Sequence, residues 1–171
     1  TTDYPITSGA WDESHNGGVD AFVSRLNADL STLQKSTFIG GTNTDISYAM
    51  TLDSSGNVYI TGSTSDTTTD YPITSGAWDE SHNGGVDAFV SRLNADLSTL
   101  QKSTFIGGNG SDTSVAIILG SSGDVYIGGY TSDITTYYPI ISPAYDSVHN
   151  GGVDAFVSRL DADLSTLQKS T

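Results

Sequence analysis

A 67-residue repeat dominates the sequence and limits the folds that the chain can adopt. Residues 1–41 recur letter for letter at 68–108, and a third copy at 135–171 differs from the second at seven positions. The intervening segments 42–67 and 109–134 also align, but they differ at 12 of 26 positions. A fixed period of this kind is typical of stacked architectures, in which each unit completes its core against its neighbours.

The repeat divides the chain into three units. Residues 1–41 are a partial first repeat, 42–108 are a full second repeat, and 109–171 are a full third repeat that is slightly truncated at its last strand. The first repeat is expected to supply only the outer strand pair of a blade. The chain thus contains about two and a half units.

Each full repeat predicts four short strands and no helix. Runs rich in strand formers, Ala21–Leu26 and Leu33–Ile39, flank the turn signal Asn27-Ala28-Asp29. Two further strands, 47–52 and 58–61, form a hairpin across the turn cluster 53–57. We therefore expect an all-β fold of tandem four-stranded antiparallel blades of a β-propeller, with an open stack of the same sheets as the alternative.

Three segments are distinctive in combination. They are the hairpin at 52–62, the Asp70-Tyr71-Pro72 triplet and the segment at 83–93, Asn-Gly-Gly-Val-Asp-Ala-Phe-Val-Ser-Arg-Leu. Together these motifs resemble the SBBP family of bacterial β-propeller repeats. The resemblance implies that 46–52 and 113–119 are innermost strands, with 57–64 and 124–131 next to them. It also implies a large exported bacterial protein with no defined catalytic activity.

The charge balance argues against two classes of partner. The chain carries 20 acidic and 6 basic residues, a formal net charge of −14. Such a surface repels phosphate backbones and anionic lipids, so neither nucleic acid nor a membrane surface is expected as a partner. Membrane insertion is not expected either, because no apolar run approaches the roughly 20 residues that a membrane span needs. The chain has no cysteine, which excludes disulfides and thiolate sites.

Few residues are candidates for metal binding, and no catalytic or cofactor-binding residue is predicted. The loop of Asp12 and His15 recurs with Asp79 and His82, and its carboxylates and imidazole are potential ligands. The alternative is a loop whose polar side chains bond its own backbone. Asp45 and Asp112, which follow double glycines, are oxygen-donor candidates, and calcium is the ion expected if any is bound. The candidate metal ligands are therefore Asp45, Asp112, Asp12, His15, Asp79 and His82.

Other polar residues have structural as well as functional interpretations. Arg25 and its equivalents are expected to pair with carboxylates such as Asp20 or Asp29, or to lie on a solvated strand face. Tyr59 and Trp11, with their equivalents, either stack on sugars or fill the space between blades. Asn109-Gly110-Ser111 is one N-glycosylation sequon.

No combination of unlike residues points to an active site, because every histidine and every basic residue occurs as a repeated equivalent. We therefore expect a non-enzymatic structural or adhesive module of an exported or cell-surface protein. Neighbouring repeats or copies of the same chain are the expected partners, and strand or blade complementation between copies would build a fibre. The alternative is a propeller that binds a surface glycan or protein.

Overall fold

The computed structural model describes residues 4–66, 70–133 and 138–171, which form ten β-strands and contain no helix. The strands are β1 Ala21–Leu26, β2 Leu33–Ile39, β3 Asp45–Leu52, β4 Val58–Thr64, β5 Asp87–Leu93, β6 Leu100–Ile106, β7 Asp112–Leu119, β8 Val125–Thr131, β9 Asp154–Leu160 and β10 Leu167–Ser170. Across these residues, no helix is long and apolar enough to cross a membrane.

The strands form three antiparallel sheets, in the arrangement of β-propeller blades. β1 and β2 make a two-stranded sheet in the first repeat, and the other sheets are β3-β4-β5-β6 and β7-β8-β9-β10. The predicted all-β fold of four-stranded units is confirmed. The three sheets do not close into a ring, and a propeller and an open stack share this blade geometry.

The inner hairpin follows from its turn and from an apolar central strand. The Asp53 carboxylate accepts hydrogen bonds from the backbone N–H groups of Ser55 (2.8 Å) and Asn57 (2.9 Å), which closes the turn. β4 then lies between β3 and β5, and all seven of its residues are buried. The strand predicted over 58–61 therefore extends to Thr64, because its polar end also lies inside the stack.

A glycine in the second strand permits a β-bulge in the first. The register between β3 and β4 shifts between Ser47 and Ala49. A Cβ atom on Gly62 would lie 1.8 Å from the carbonyl oxygen of Ile46. The bulge brings the two backbones too close for any side chain at this position, and the third repeat has Gly129 in the same place.

The hydrophobic cores lie between the repeats. One cluster joins Val23 and Ile39 of the first repeat to residues of the second, including Phe89 and Leu97. The other cluster joins residues of the second repeat, such as Val90, to the third repeat. Each sheet is therefore apolar on both faces, and each pair of adjacent sheets shares one core.

Candidate functional site

The most elaborate constellation in the molecule is the contact between consecutive repeats, and it occurs twice. We call the contact of the first and second repeats the first joint, and that of the second and third repeats the second joint. At the first joint Asp45 N–H donates to the Val19 carbonyl (2.6 Å), within an isolated parallel bridge. Asp112 and Val86 repeat this bond at 2.6 Å in the second joint.

A leucine with left-handed backbone geometry lies in the outer turn of every repeat. Leu30, Leu97 and Leu164 have φ values of 59°, 57° and 54°, in a region that L residues with bulky side chains rarely adopt. The side chain of Asn94 stabilises the turn by accepting hydrogen bonds from Ser98 N–H (2.9 Å) and Thr99 N–H (3.0 Å). The equivalent side chains Asn27 and Asp161 do the same. The strained conformation is therefore built locally.

The turn of one repeat docks on the repeat before it. Leu97 is 1% exposed and packs in the core shared with the first repeat, and the N–H of Trp11 donates to its carbonyl at 2.8 Å. Leu164 is fully buried, and the N–H of Trp78 donates to its carbonyl at the same distance. Each joint therefore receives one leucine side chain, and the backbone N–H of an aromatic residue binds its carbonyl.

An arginine reinforces each joint. Arg25 donates from Nη1 to the Ala95 carbonyl at 2.7 Å, and Arg92 donates to the Ala162 carbonyl at 2.9 Å. Arg92 also lies over the Tyr59 ring, with Cζ 5.7 Å from the ring centroid. Arg25 forms no ion pair with Asp20 or Asp29 in the part of the chain that the structure describes, because its guanidinium reaches the next repeat. Its equivalent Arg92 does pair with a carboxylate of the Asp29 type, Asp163 of the third repeat, at 3.8 Å.

Three buried aspartates, here called a carboxyl set, meet at each joint. The first set is Asp20 with Asp45 and Asp66, and the second is Asp87, Asp112 and Asp133. One oxygen of each carboxylate is buried without a hydrogen-bond partner in the described residues. A Cβ atom on Gly107 would lie 2.7 Å from Asp112 Oδ2 and 2.9 Å from Asp87 Oδ1, so glycine leaves room for the two carboxyl groups.

Burial and repulsion between carboxylates make Asp45, Asp87 and Asp112 hard to ionise. Burial raises the pKa of Asp87 to about 7, with repulsion from nearby carboxylates, Asp112 first, acting in the same direction. Burial also raises the pKa of Asp112 to about 6, and Asp133 adds to the effect. At the first joint, burial and the neighbouring Asp66 raise the pKa of Asp45. Asp45, Asp87 and Asp112 therefore hold their protons to a higher pH than an ordinary aspartate does.

The predicted metal candidates occupy two different environments. Asp45 and Asp112 belong to the carboxyl sets, whereas Asp12 and Asp79 lie in exposed loops and accept hydrogen bonds from neighbouring backbone. His15 and His82 pack edge-on against Phe38 and Phe105, with ring centroids 5.6 and 5.7 Å apart. Within 4–66, 70–133 and 138–171, no three acidic or histidine side chains are arranged to hold a metal ion.

The predicted aromatic residues divide into buried and exposed ones. Tyr59 is 3% exposed and fills the space between blades, whereas Trp11 and Trp78 are 41% and 36% exposed. Tyr71 is buried, and its hydroxyl joins a hydrogen-bonded row with Ser91 (3.1 Å) and Ser103. This row ties the Asp-Tyr-Pro motif of the loop to the outer strand pair.

A cavity of about 260 Å³ lies in the third repeat beside Tyr138 and His149. In the second repeat, the equivalent residues Tyr71 and His82 pack against Phe105. The cavity of the third repeat and this aromatic contact of the second repeat therefore involve equivalent tyrosine and histidine positions.

Sequence reasoning missed the residues that define the joints. Leucine carries no signal for a left-handed turn, and Asp20 and Asp66 are brought to Asp45 only by the packing of separate strands. The available signal was the recurrence of these residues at the 67-residue period. Periodicity alone did not separate residues that pack within a repeat from those that pack between repeats.

The fold and the joints define a tandem-repeat protein built from β-propeller blades. Residues 34–67 match the model of the SBBP family, described as a beta-propeller repeat. This segment runs from β2 through the inner hairpin, so the resemblance predicted from the sequence is confirmed there. No curated protein matches the chain.

Proposed function

We propose that this β-propeller repeat module is a non-enzymatic structural or adhesive element of an exported or cell-surface protein. The observation that carries this proposal is the use of the recurring polar and apolar residues in the joints. Leu97, Leu164 and Arg92 are engaged in contacts between repeats, and the candidate Asp45 and Asp112 are buried there. Arg92, whose equivalents sequence analysis considered for a functional role, thus contributes to the contact between repeats.

The same observation supports self-association. The repeats are stabilised mainly by contacts with their neighbours, so a repeat without a neighbour exposes a surface that can bind another repeat. In the part of the chain that the structure describes, β1 pairs only with β2, whereas its equivalents β5 and β9 each pair on both edges. Copies of the chain then join by adding strands or blades to one another, and repeated joining without closure yields a fibre.

The solution mass of the chain, measured by light scattering with negative-stain images of the same sample, tests this proposal. Concentration-dependent polymers are expected. A stable monomer with no exposed apolar surface, seen as no binding of a hydrophobic dye, would contradict the self-associating function.

A second candidate function is glycan binding, and exposed aromatic residues favour it. Trp11, Trp78 and the fully exposed Tyr145 occupy equivalent loop positions, where aromatic faces are available for stacking on sugars. Quenching or enhancement of tryptophan fluorescence by surface polysaccharides would support this candidate. A glycan array without hits, together with unchanged fluorescence, would remove it.

A further inference from the structure

The connection between β6 and β7 carries an exposed asparagine at the edge of the second joint. Asn109 lies in irregular backbone, two residues before β7 begins. Its counterpart in the second repeat is Thr42, which is also exposed and whose hydroxyl donates to the Asp70 carboxylate at 2.9 Å. The exposure of this position is therefore a feature of the repeat itself, because it is found at both joints.

The side chain of Asn109 differs from those of most asparagines in the molecule. Most of the others donate hydrogen bonds from the side-chain amide to a carboxylate or hydroxyl oxygen of the same loop, namely Asn16, Asn27, Asn57, Asn83, Asn94 and Asn150. Asn109 forms no such bond with the residues that the structure describes, and its side chain is exposed. Its amide nitrogen is therefore accessible to an external reactant.

The residues after Asn109 complete the acceptor sequence for N-linked glycosylation. Gly110 satisfies the exclusion of proline from the second position, and Ser111 supplies the hydroxyl of the third. Ser111 is exposed, and its hydrogen bonds to Ser132 use only its backbone N–H and carbonyl groups. The structure therefore places both functional groups of the sequon at the surface, which is the context that the motif requires.

Two glycines of the neighbouring loop leave space beside the sequon. A Cβ atom on Gly84 would lie 3.4 Å from the carbonyl oxygen of Asn109 and 3.5 Å from its Cα atom. A Cβ atom on Gly85 would lie 1.9 Å from the carbonyl oxygen of Gly110. Because these two residues have no side chains, the loop approaches the backbone of the sequon and leaves the Asn109 side chain exposed. An oligosaccharide on that side chain would extend into solvent.

We propose that Asn109 is the attachment site of an N-linked oligosaccharide. This inference rests on the proposed export of the protein, since the sequon is used in secreted chains. The donor is an oligosaccharide linked to a lipid through a diphosphate. A bond forms between the Asn109 side-chain nitrogen and the anomeric carbon of the sugar, while the bond from that carbon to the diphosphate oxygen breaks. The nitrogen loses one proton to solvent, and the lipid diphosphate leaves with the electron pair of the broken bond.

The modification would make the two joints different. In the second repeat the equivalent residues are Thr42, Asn43 and Thr44, so the acceptor position has no amide. Asn43 is exposed, but Asp45 occupies the third position after it, where the sequon requires a hydroxyl. A glycan is bulky and solubilising, so it would cover the loop surface of the second joint and leave that of the first joint bare.

Peptide mass spectrometry of the protein purified from its native cells tests the site. The tryptic peptide that contains Asn109 should carry the mass of an oligosaccharide, and enzymatic release of the glycan should convert Asn109 to aspartate. Asn109→Gln and Ser111→Ala, expressed in the same cells, should abolish the modification, whereas Ser111→Thr should retain it because the hydroxyl is kept. Asn43→Gln is the matched control in the equivalent loop and should leave the glycopeptide unchanged.

Fractionation of the same cells separates this inference from the proposed function. An exported chain with unmodified Asn109 would overturn the glycosylation site and leave the proposed function standing. An unmodified chain retained inside the cell would contradict both. Circular dichroism checks that the variants are folded, and a glycan that persisted on folded Ser111→Ala would overturn the role of the sequon.

Discussion

The outer turns of the first and second repeats have the same sequence but different surroundings. Leu30 and Leu97 differ by only 2° in φ, yet Leu30 is 73% exposed and Leu97 is 1% exposed. The left-handed turn therefore does not depend on the joint, because the neighbouring asparagine side chain holds it in both repeats. A repeat therefore forms the left-handed turn by itself, whereas the burial of the leucine side chain depends on the neighbouring repeat.

The backbone strain of the turn arises within each repeat, whereas the side-chain burial that offsets it requires a neighbouring repeat. A left-handed residue with a bulky side chain costs on the order of 1 kcal/mol. Burial of a leucine side chain contributes about 2 kcal/mol. The second and third repeats recover the cost of the turn through Leu97 and Leu164, whereas the first repeat does not.

Truncating the buried leucine should have the largest effect. Leu97→Ala is expected to lower the free energy of unfolding by about 2–5 kcal/mol, because it removes buried methyl groups and leaves a cavity in the first joint. Leu30→Ala, the matched control, should change it by less than about 0.5 kcal/mol. Urea denaturation followed by tryptophan fluorescence measures both, and equal losses in the two variants would contradict the comparison.

The carboxyl sets should make stability depend on pH. Asp87, with a folded-state pKa of about 7 against an ordinary value of 3.8, holds its proton more tightly in the folded chain. The contribution of this group to stability is then greatest below a pH of about 4 and is lost as the pH rises through about 7. Each unit of difference corresponds to about 1.4 kcal/mol, so a loss of about 2 kcal/mol or more is expected for Asp87.

Substitution in matched repeats tests the origin of that pH dependence. Asp87→Asn should flatten the fall between pH 4 and 7 and raise stability at pH 8, whereas Asp154→Asn, on the half-exposed equivalent, should leave the wild-type curve unchanged. Melting temperatures of the wild-type chain and both variants, measured between pH 4 and pH 8, show whether Asp87 causes the fall in stability. If millimolar calcium raised the melting temperature of the wild-type chain but not of Asp87→Asn, the carboxyl set would be a cation site instead.

Arg92 should contribute less to the free energy of unfolding than Leu97 does. Arg92→Ala removes the bond to the Ala162 carbonyl and the contact with Tyr59, for an expected loss of about 1–2 kcal/mol. The ion pair with Asp163 adds little, because Asp163 is 67% exposed and the separation is 3.8 Å. Arg159→Ala should cost less than half as much in the monomer, and denaturation of both variants at low protein concentration compares them.

The smallest change in the free energy of unfolding should come from relieving the backbone strain at Leu30, where no buried contact is lost. Leu30→Gly is expected to be neutral or to stabilise the chain by up to about 0.5 kcal/mol, since glycine accepts a positive φ freely. Leu97→Gly should still lose several kcal/mol, because burial is lost there. A clear loss on Leu30→Gly would mean that the exposed leucine is covered in solution, which the same samples would reveal as a higher mass.

The sequence predicted the strands well and the joints poorly, for physical reasons. Alternating apolar residues, the 53–57 turn and the 67-residue period each report local geometry or repetition, and these led to the four-stranded units. The partner of Arg25 is a backbone carbonyl 70 residues away, which no local pattern encodes. Asp45 could be selected as a candidate beside the double glycine, but its buried neighbours Asp20 and Asp66 could not, because sheet packing brings them together.

The identity of the outer strands also bears on how the chain finds its fold. β4 pairs with β5, and the six residues of β1 are identical to the last six residues of β5. Contact chemistry cannot distinguish these two edges, so the length of the connection at 65–86 must select the correct one. At high concentration the equivalent edge on another molecule competes as well, so refolding is expected to partition between intramolecular pairing and exchange of hairpins between chains.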